Sequence, residues 1–298
     1  MQLDALQIFV KVAELGSFTR AAQHLGLSKA RASIRVSEIE SELGTRLLQR
    51  TTRAVRLTPD GEQFLVRARR LVLDAEELGS MFQQPSSLRG RVRLDLPVNF
   101  ARNLFIPRLP ELFAAHPQLE LELSATDRRV DLVREGFDCV LRVGALPDSG
   151  LAARRLGTLP MLNCASPGYL VKHGTPRSLV DLQQHLLIHY SLSFGSDAPA
   201  FEYHDGRGYR ELPMPSLITV NSADAYSGAC LAGLGIIQTP RIGMQQSLGS
   251  GALVEILPEL TAAPMPVSIV HGHARNVPKR VRAVMSWLAQ QLEPHLDS

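Results

Sequence analysis

Apolar residues recur along the start of the chain at helical spacing. Leu6, Phe9, Val10 and Ala13 stand at i, i+3, i+4 and i+7, the stripe of an amphipathic helix. Gly16 stops it. Ser17 is placed to cap a second helix, whose stripe is Phe18, Ala21, Ala22 and Leu25. Gly26 permits a tight turn, and Ser28 can cap a third helix running to about Leu43, before Gly44. Short helices crossing at alanines around a glycine turn make a helix-turn-helix. At about 100° per residue, Ala32, Val36, Ile39 and Leu43 share a narrow arc of the third helix, expected to pack on the first two. Ala30, Ser33, Ile34 and Ser37 fall opposite, flanked by Lys29 and Arg31. A large aliphatic such as Ile34 on an exposed arc needs a reason, and contact with a thymine methyl supplies one. A plain three-helix bundle with a charged surface explains the same periodicity.

The next pattern weighs against the plain bundle. "RLLQRTTRAVRLTPDG" reads as a strand, a basic turn and a returning strand, a wing whose Arg50, Thr51, Thr52 and Arg53 are placed to hold phosphates beside a groove. Thr58 then caps a helix with Pro59 at its first position. Along it Phe64, Ala68, Leu71, Ala75, Leu78 and Phe82 are spaced 4, 3, 4, 3, 4, the seam of a coiled coil between two chains. The other reading is a helix packed on its own domain; the narrow seam, flanked by Arg67, Arg69, Arg70, Glu76 and Glu77, favours dimerisation.

"QQPSSLRG" is a polar linker. Beyond it strands and helices alternate: "RVRLDLP", "ARNLFIPRLPELFAAHP", "LELELSA", "RRVDLVREG" and "DCVLRVG". This syntax implies a parallel sheet with helices on its faces. A second set follows in "LLIHY", "SLITVN", "SADAYSGACLAGLG", "GIIQTP" and "LVEILP". "PVSIVHG" and the helix "PKRVRAVMSWLAQQLE" then look like a return to the first set. "YHDGRGY" reads as a hairpin with Asp205-Gly206 at its tip.

Composition adds limits. A chain of 298 residues is long for one core, so two or more domains are expected. Of its 32 basic and 29 acidic residues, 13 and 10 fall within 1–90, leaving 19 of each beyond, so the excess of +3 lies entirely at the start. Between Thr45 and Pro59, Arg46, Arg50, Arg53 and Arg56 occur with no acid, which suits a polyanion. No apolar run approaches the ~20 residues of a membrane span, and the start carries no export signal, so a cytoplasmic protein is expected. Cys139, Cys164 and Cys230 are too scattered for a disulfide framework and read as small buried hydrophobes. His271 and His273 share a strand face, but no acid or cysteine nearby completes a metal site. Gly-x-Ser-x-Gly is absent and no catalytic set appears. Neither an enzyme nor a cofactor is expected.

The run Leu6–Gly61 resembles the winged helix-turn-helix of LysR-type transcriptional regulators. The resemblance is carried by "F-x-x-V-A-E-x-G-S-F-T-R-A-A-x-x-L-G-L-S" and "I-E-x-E-L-G-x-R-L-L-x-R-T-T-R-x-V-x-L-T-P-x-G". It continues through "D-x-x-V-D-L-V-R-E-G-x-D", "L-R-V-G", and "N-S" before "A-G-L-G". The family usually has an apolar residue where Arg31 stands and a basic one where Ile34 stands, so base preference is not carried over. The resemblance implies an α/β protein: a winged helix-turn-helix (1–58), a linker and dimerisation helix (59–90), and a two-lobed effector domain like a periplasmic binding protein (91–298). Lobe one would span 91–163 and 265–293, lobe two 164–264.

On this reading Phe18, Thr19, Ser28, Lys29, Ala30, Arg31, Ser33, Ile34, Arg35 and Ser37, with the wing residues, would meet double-stranded promoter DNA. Ligands of open α/β sheets bind at the carboxyl ends of strands. That points to Pro97, Val98, Asn99, Phe100 and Ala101, to Thr126 and Asp127, to Arg142, Val143 and Gly144, and to Asn221 and Ser222. Helix starts and Arg142 together suggest a small anionic or polar metabolite. The plainer alternative is that Asn221 and Ser222 cap a helix and Arg142 pairs with Asp127 or Asp138. Homodimers or homotetramers and contact with RNA polymerase are implied, with no membrane. The rival readings are a repressor without ligand response and an enzyme using the α/β lobes.

Overall fold

The computed structural model describes residues 1–50, 55–80, 88–146, 151–272 and 277–297, and its contacts divide it into two units, Met1–Pro85 and Ser86–Ser298. The first unit contains α1 (Leu3–Leu15), α2 (Phe18–His24), α3 (Lys29–Leu43), β1 (Leu48–Arg50), β2 (Val55–Leu57) and α4 (Pro59–Ser80). Ser17 and Ser28 cap as their positions suggest: their hydroxyls accept from the amides of Arg20 at 3.3 Å and Arg31 at 3.2 Å. Gly26 makes the turn between α2 and α3 at φ 66°, a conformation other residues resist. Phe9, Val12, Ala21, Ala22, Ala32, Val36 and Ile39 close the core. Each fully buried large apolar side chain there contributes roughly 1.5–3 kcal/mol. Leu43, expected on the same arc, is exposed; the chain turns at Gly44, and Leu47 and Leu48 fill the core instead.

α4 departs from the expected seam. Leu65, Ala68 and Val72 are buried against the unit's own core, and Phe64 sets its ring edge-on to Phe9 at 5.2 Å. Ala68 is therefore a core residue and not part of a surface between chains. Leu71 and Leu78 stay exposed and Ala75 is half-buried, while Phe82 lies outside the described residues.

The second unit has two lobes. Lobe one is a five-stranded sheet in the order β4-β3-β5-β14-β6. Its strands are β3 (Arg89–Leu96), β4 (Gln118–Ala125), β5 (Cys139–Val143), β6 (Ala152–Leu159) and β14 (Met265–His271). β3 runs parallel to β4 and β5, whereas β14 runs antiparallel to both β5 and β6. The sheet is thus mixed where a parallel one was expected, because β14 returns from lobe two and enters from the opposite end. One irregular helical stretch links β3 to β4: α5 (Val98–Phe100), wider and tighter turns across the Pro107 region, then α6 (Leu109–Ala115). α7 (Leu132–Glu135) is a single turn. α11 (Lys279–Leu292) packs Val281, Val284 and Leu288 into the lobe's core with Leu94, Leu96, Leu141 and Ile269.

Lobe two is built on β7 (Met161–Ala165), flanked antiparallel by β12 (Ile237–Pro240) and β13 (Val254–Ile256). The expected border at 163/164 falls inside β7. The segment Ala152–Ala165 holds two strands of different sheets, broken at Pro160, which has no amide to donate. α8 (Pro167–His173), the parallel pair β8 (His189–Tyr190) and β11 (Thr219–Val220), α9 (Ala223–Leu231) and α10 (Gln245–Gly249) complete the lobe. β9 (Ala200–His204) and β10 (Tyr209–Pro213) form the hairpin, whose Asp205 Oδ1 accepts from the amides of Arg207 and Gly208, both at 2.8 Å.

Candidate functional site

In the first unit, α3 presents Lys29, Ala30, Arg31, Ile34 and Ser37 to solvent, with Ser28 at its cap and Ser33 half-buried. Ile34 is 58% exposed, on the side opposite Ala32, Val36 and Ile39. Thr19 is exposed at the start of α2. Two residues assigned to this face serve elsewhere. Phe18 is buried in the core, since the apolar stripe of α2 begins with it. Arg35 turns back toward α1, pairing with Asp4 at 3.3 Å and Glu38 at 2.9 Å, which raises its pKa through the Glu38 hydrogen bond first. Arg35 is thus a brace between α1 and α3. The wing residues Thr51, Thr52 and Arg53, and the side chain of Arg50, lie outside the described residues. The base of the wing is held by Glu40, whose Oε1 accepts from the amides of Leu47 at 2.9 Å and Leu48 at 3.0 Å.

In the second unit a cavity of about 660 Å³ lies between the lobes. Pro97, Asn99, Phe100, Thr126, Asp127, Arg142, Val143 and Gly144 line it, as strand-end reasoning expects. Val98 and Ala101 do not: Ala101 faces the lobe-one core, and Val98 contributes only its amide, which donates to Asp127 Oδ1 at 3.1 Å. Asn221 and Ser222 also lie off the lining. Ser222 caps α9, its hydroxyl accepting from Ala225 N at 3.2 Å, while Ala223 and Tyr226 of that helix reach the cavity.

Arg142 pairs with neither Asp127 nor Asp138. Its Nη1 donates to Asp95 Oδ2 at 2.9 Å, and Asp95 is wholly buried. Asp95 Oδ1 also accepts from Thr126 Oγ1 at 3.1 Å, so one carboxylate organises two lining residues. Asp127 Oδ2 accepts from Ala223 N at 2.7 Å, across the lobes. Sequence reasoning missed the lobe-two wall of Tyr190, Leu192, Tyr226, Gln238 and Thr239. Tyr190 and Tyr226 meet edge-on at 5.4 Å. Burial, with Asp127 nearby, pushes the Tyr190 phenol up to about 12, so it stays a proton donor. No signal short of pairing these strands could have brought the wall together.

The described residues hold no cluster of metal-ligating side chains, and His273 lies outside them. No described helix is long and apolar enough to cross a membrane. Cys139, Cys164 and Cys230 are buried free thiols.

Residues 3–62 match the bacterial regulatory helix-turn-helix protein family of the lysR type, and residues 85–293 match the LysR substrate binding domain. YhjC of Escherichia coli K12, an uncharacterised HTH-type transcriptional regulator, is 44% identical over 99% of both chains. An HTH-type transcriptional repressor of Pseudomonas aeruginosa is 35% identical, over 97% of this chain and 92% of its own. Among solved structures, CrgA, a LysR-type transcriptional regulator from Neisseria meningitidis, superposes with a TM-score of 0.62 at 29% identity, covering 98% of this chain and 99% of that one.

Proposed function

The chain belongs to the LysR-type family of transcriptional regulators, and from that premise we propose how it reads DNA and what its cavity does. It is a DNA-binding regulator with an effector-binding domain, it forms oligomers, and it is not an enzyme. α3 enters the major groove. Ile34 touches base edges there while Lys29, Arg31 and the wing residues Arg50, Thr51, Thr52 and Arg53 hold phosphates. The observation that carries this is Ile34, a large aliphatic left 58% exposed between cations on a helix whose other face is fully packed. Dimers, joined along the exposed Leu71 and Leu78 of α4 and paired into tetramers, span half-sites about 34–36 Å apart or a multiple of that. The site of action is the cytoplasm, where promoter DNA lies.

A small molecule in the interlobe cavity favours one arrangement of the lobes, and through the oligomer changes how the DNA-binding units sit and meet RNA polymerase. Such coupling requires the ligand to bind one state better than the other. Footprinting on the DNA upstream of the protein's own gene, with and without metabolite extract, tests both halves. Protection that shifts with extract is the expected result; protection that never shifts removes the effector role. Arg31→Ala should weaken binding on all sequences and lower the salt slope by about 1. Ile34→Ala should instead relax one base position, at a cost of roughly 1–3 kcal/mol for the preferred base. Equal losses on every sequence would refute this assignment of faces.

A further inference from the structure

We propose that Asp127 acts as a built-in anion, so that the interlobe cavity takes an uncharged, largely apolar molecule carrying one acceptor oxygen and turns carboxylates away. The inference rests on the reading of this cavity as the effector site.

Asp127 follows β4 in lobe one, and both of its oxygens are engaged. Oδ1 takes the Val98 amide at 3.1 Å, and Oδ2 takes the Ala223 amide, at the start of α9 in lobe two, at 2.7 Å. The neighbouring amide of Ala225 is already capped by Ser222. The amides of Val98, Ala223 and Ala225, donors that would attract an anionic ligand, are therefore taken by the chain's own Asp127 and Ser222. A ligand carboxylate placed there would stand beside Asp127 in a partly desolvated site, where two like charges cannot both stay ionised cheaply.

The remaining cations offer little compensation. Arg142 is paired through Nη1 with the wholly buried Asp95 at 2.9 Å, and its Nη2, which has no hydrogen-bond partner among the described residues, is itself buried. Arg128 is held by Glu135, its Nη1 donating to Oε1 at 2.9 Å. Arg129 is exposed at the rim, where solvent and salt screen it.

The walls point to the complementary chemistry. Phe100, Leu132, Val140, Met161, Ile242 and Val270 give an apolar lining, and about 660 Å³ suits a small molecule. Among the described residues the Tyr190 hydroxyl has no protein partner, and its ring is fixed against Tyr226 at 5.4 Å. It is the donor for the ligand's oxygen, a carbonyl or an amide.

The near-isosteric probes benzamide and benzoate test this on the full-length protein by ligand-observed NMR titration at neutral pH. Benzamide should bind the wild type at least about tenfold more tightly than benzoate, and Asp127→Asn should remove that preference by raising benzoate affinity. Asp127→Ser, which keeps an acceptor without the charge, replaces Asp127→Asn if the latter does not fold. Benzoate binding the wild type as well as benzamide, an unchanged ratio in the variant, or binding of neither probe overturns the proposal. Leu151→Trp, which fills the cavity, separates the two readings. Benzamide binding that survives it would refute the cavity as the site, whatever the role of Asp127.

Discussion

Gly61 shows how much can rest on a missing methyl group. A Cβ there would lie 2.0 Å from the Leu47 carbonyl oxygen and 2.9 Å from its carbon, at the point where α4 crosses the strand leading into the wing. Replacing glycine by alanine in a helix ordinarily gains about 1 kcal/mol. Backbone contact reverses the sign here, because a carbonyl cannot swing aside as a side chain can. Gly61→Ala should lower the melting temperature of the DNA-binding unit by several degrees and weaken DNA binding with it. Unchanged melting would mean that the first turn of α4 shifts freely away from Leu47. The motif around Gly61 was legible in the sequence; its cause, the approach of a distant backbone, was not. Asp95 is the converse case. With Val92, Leu94 and Leu96 on one face of β3, period-two reading turns Asp95 outward, where an acid is unremarkable. Yet Asp95 is wholly buried beneath the cavity, holding Arg142 and Thr126. Alternation identifies a half-buried strand only when the second face meets water, and a sheet covered on both faces breaks that premise.

Among the elements, α4 and the β4–α7 connection show where periodicity decides and where it does not. The 4, 3, 4, 3 spacing along α4 fits a partner helix and a helix's own domain equally well. In the structure Leu65, Ala68 and Val72 go to the core, while Leu71 and Leu78, on another face, are left 49% and 68% exposed. The two faces should respond differently to substitution. Ala68→Leu overfills a packed site and should cost roughly 1–3 kcal/mol of stability. Leu78→Lys, paired with Leu71→Lys, should leave melting of the unit nearly unchanged while shifting sedimentation toward monomer. If the double variant sediments as the wild type does, the chains associate through another surface. The connection after β4 carries a motif of the family, and its residues brace one another. Asp131 accepts from the amides of Val133 at 3.1 Å and Arg134 at 2.9 Å, Glu135 holds Arg128, and Asp138 Oδ2 accepts from Arg93 N at 2.8 Å. The Arg128 hydrogen bond keeps the Glu135 carboxyl down at about 2, so this brace stays ionised at any physiological pH. A stiff loop is what positions Asp127 for its bond across the lobes.

For the effector-binding unit as a whole, the question is what keeps the lobes where they are. The chain crosses between them at Pro160 and again between β13 and β14, and two crossings leave a hinge free to open. Against opening stand the Asp127–Ala223 bond and the ion pair of Arg102 with Asp224, in which Nη2 lies 3.2 Å from Oδ1 and Nη1 3.3 Å from Oδ2. Both carboxylates act at the start of α9, so a single helix end carries the closure. The ion pair is exposed, and such pairs are worth about 0–1 kcal/mol. That is too little to matter for folding, but it changes the ratio of two open and closed states by up to about fivefold. Arg102→Ala should therefore leave the melting temperature unchanged and alter the lobe spacing. Spin labels at Ile106 in lobe one and Val180 in lobe two, both on exposed positions, would report that distance by pulsed electron resonance, with labelled chains diluted into unlabelled protein. A distribution that broadens toward longer distances in Arg102→Ala is the expected result. Identical distributions would leave the Asp127 bond and the cavity walls as the whole of the closure, and a ligand would then have to act on those contacts alone.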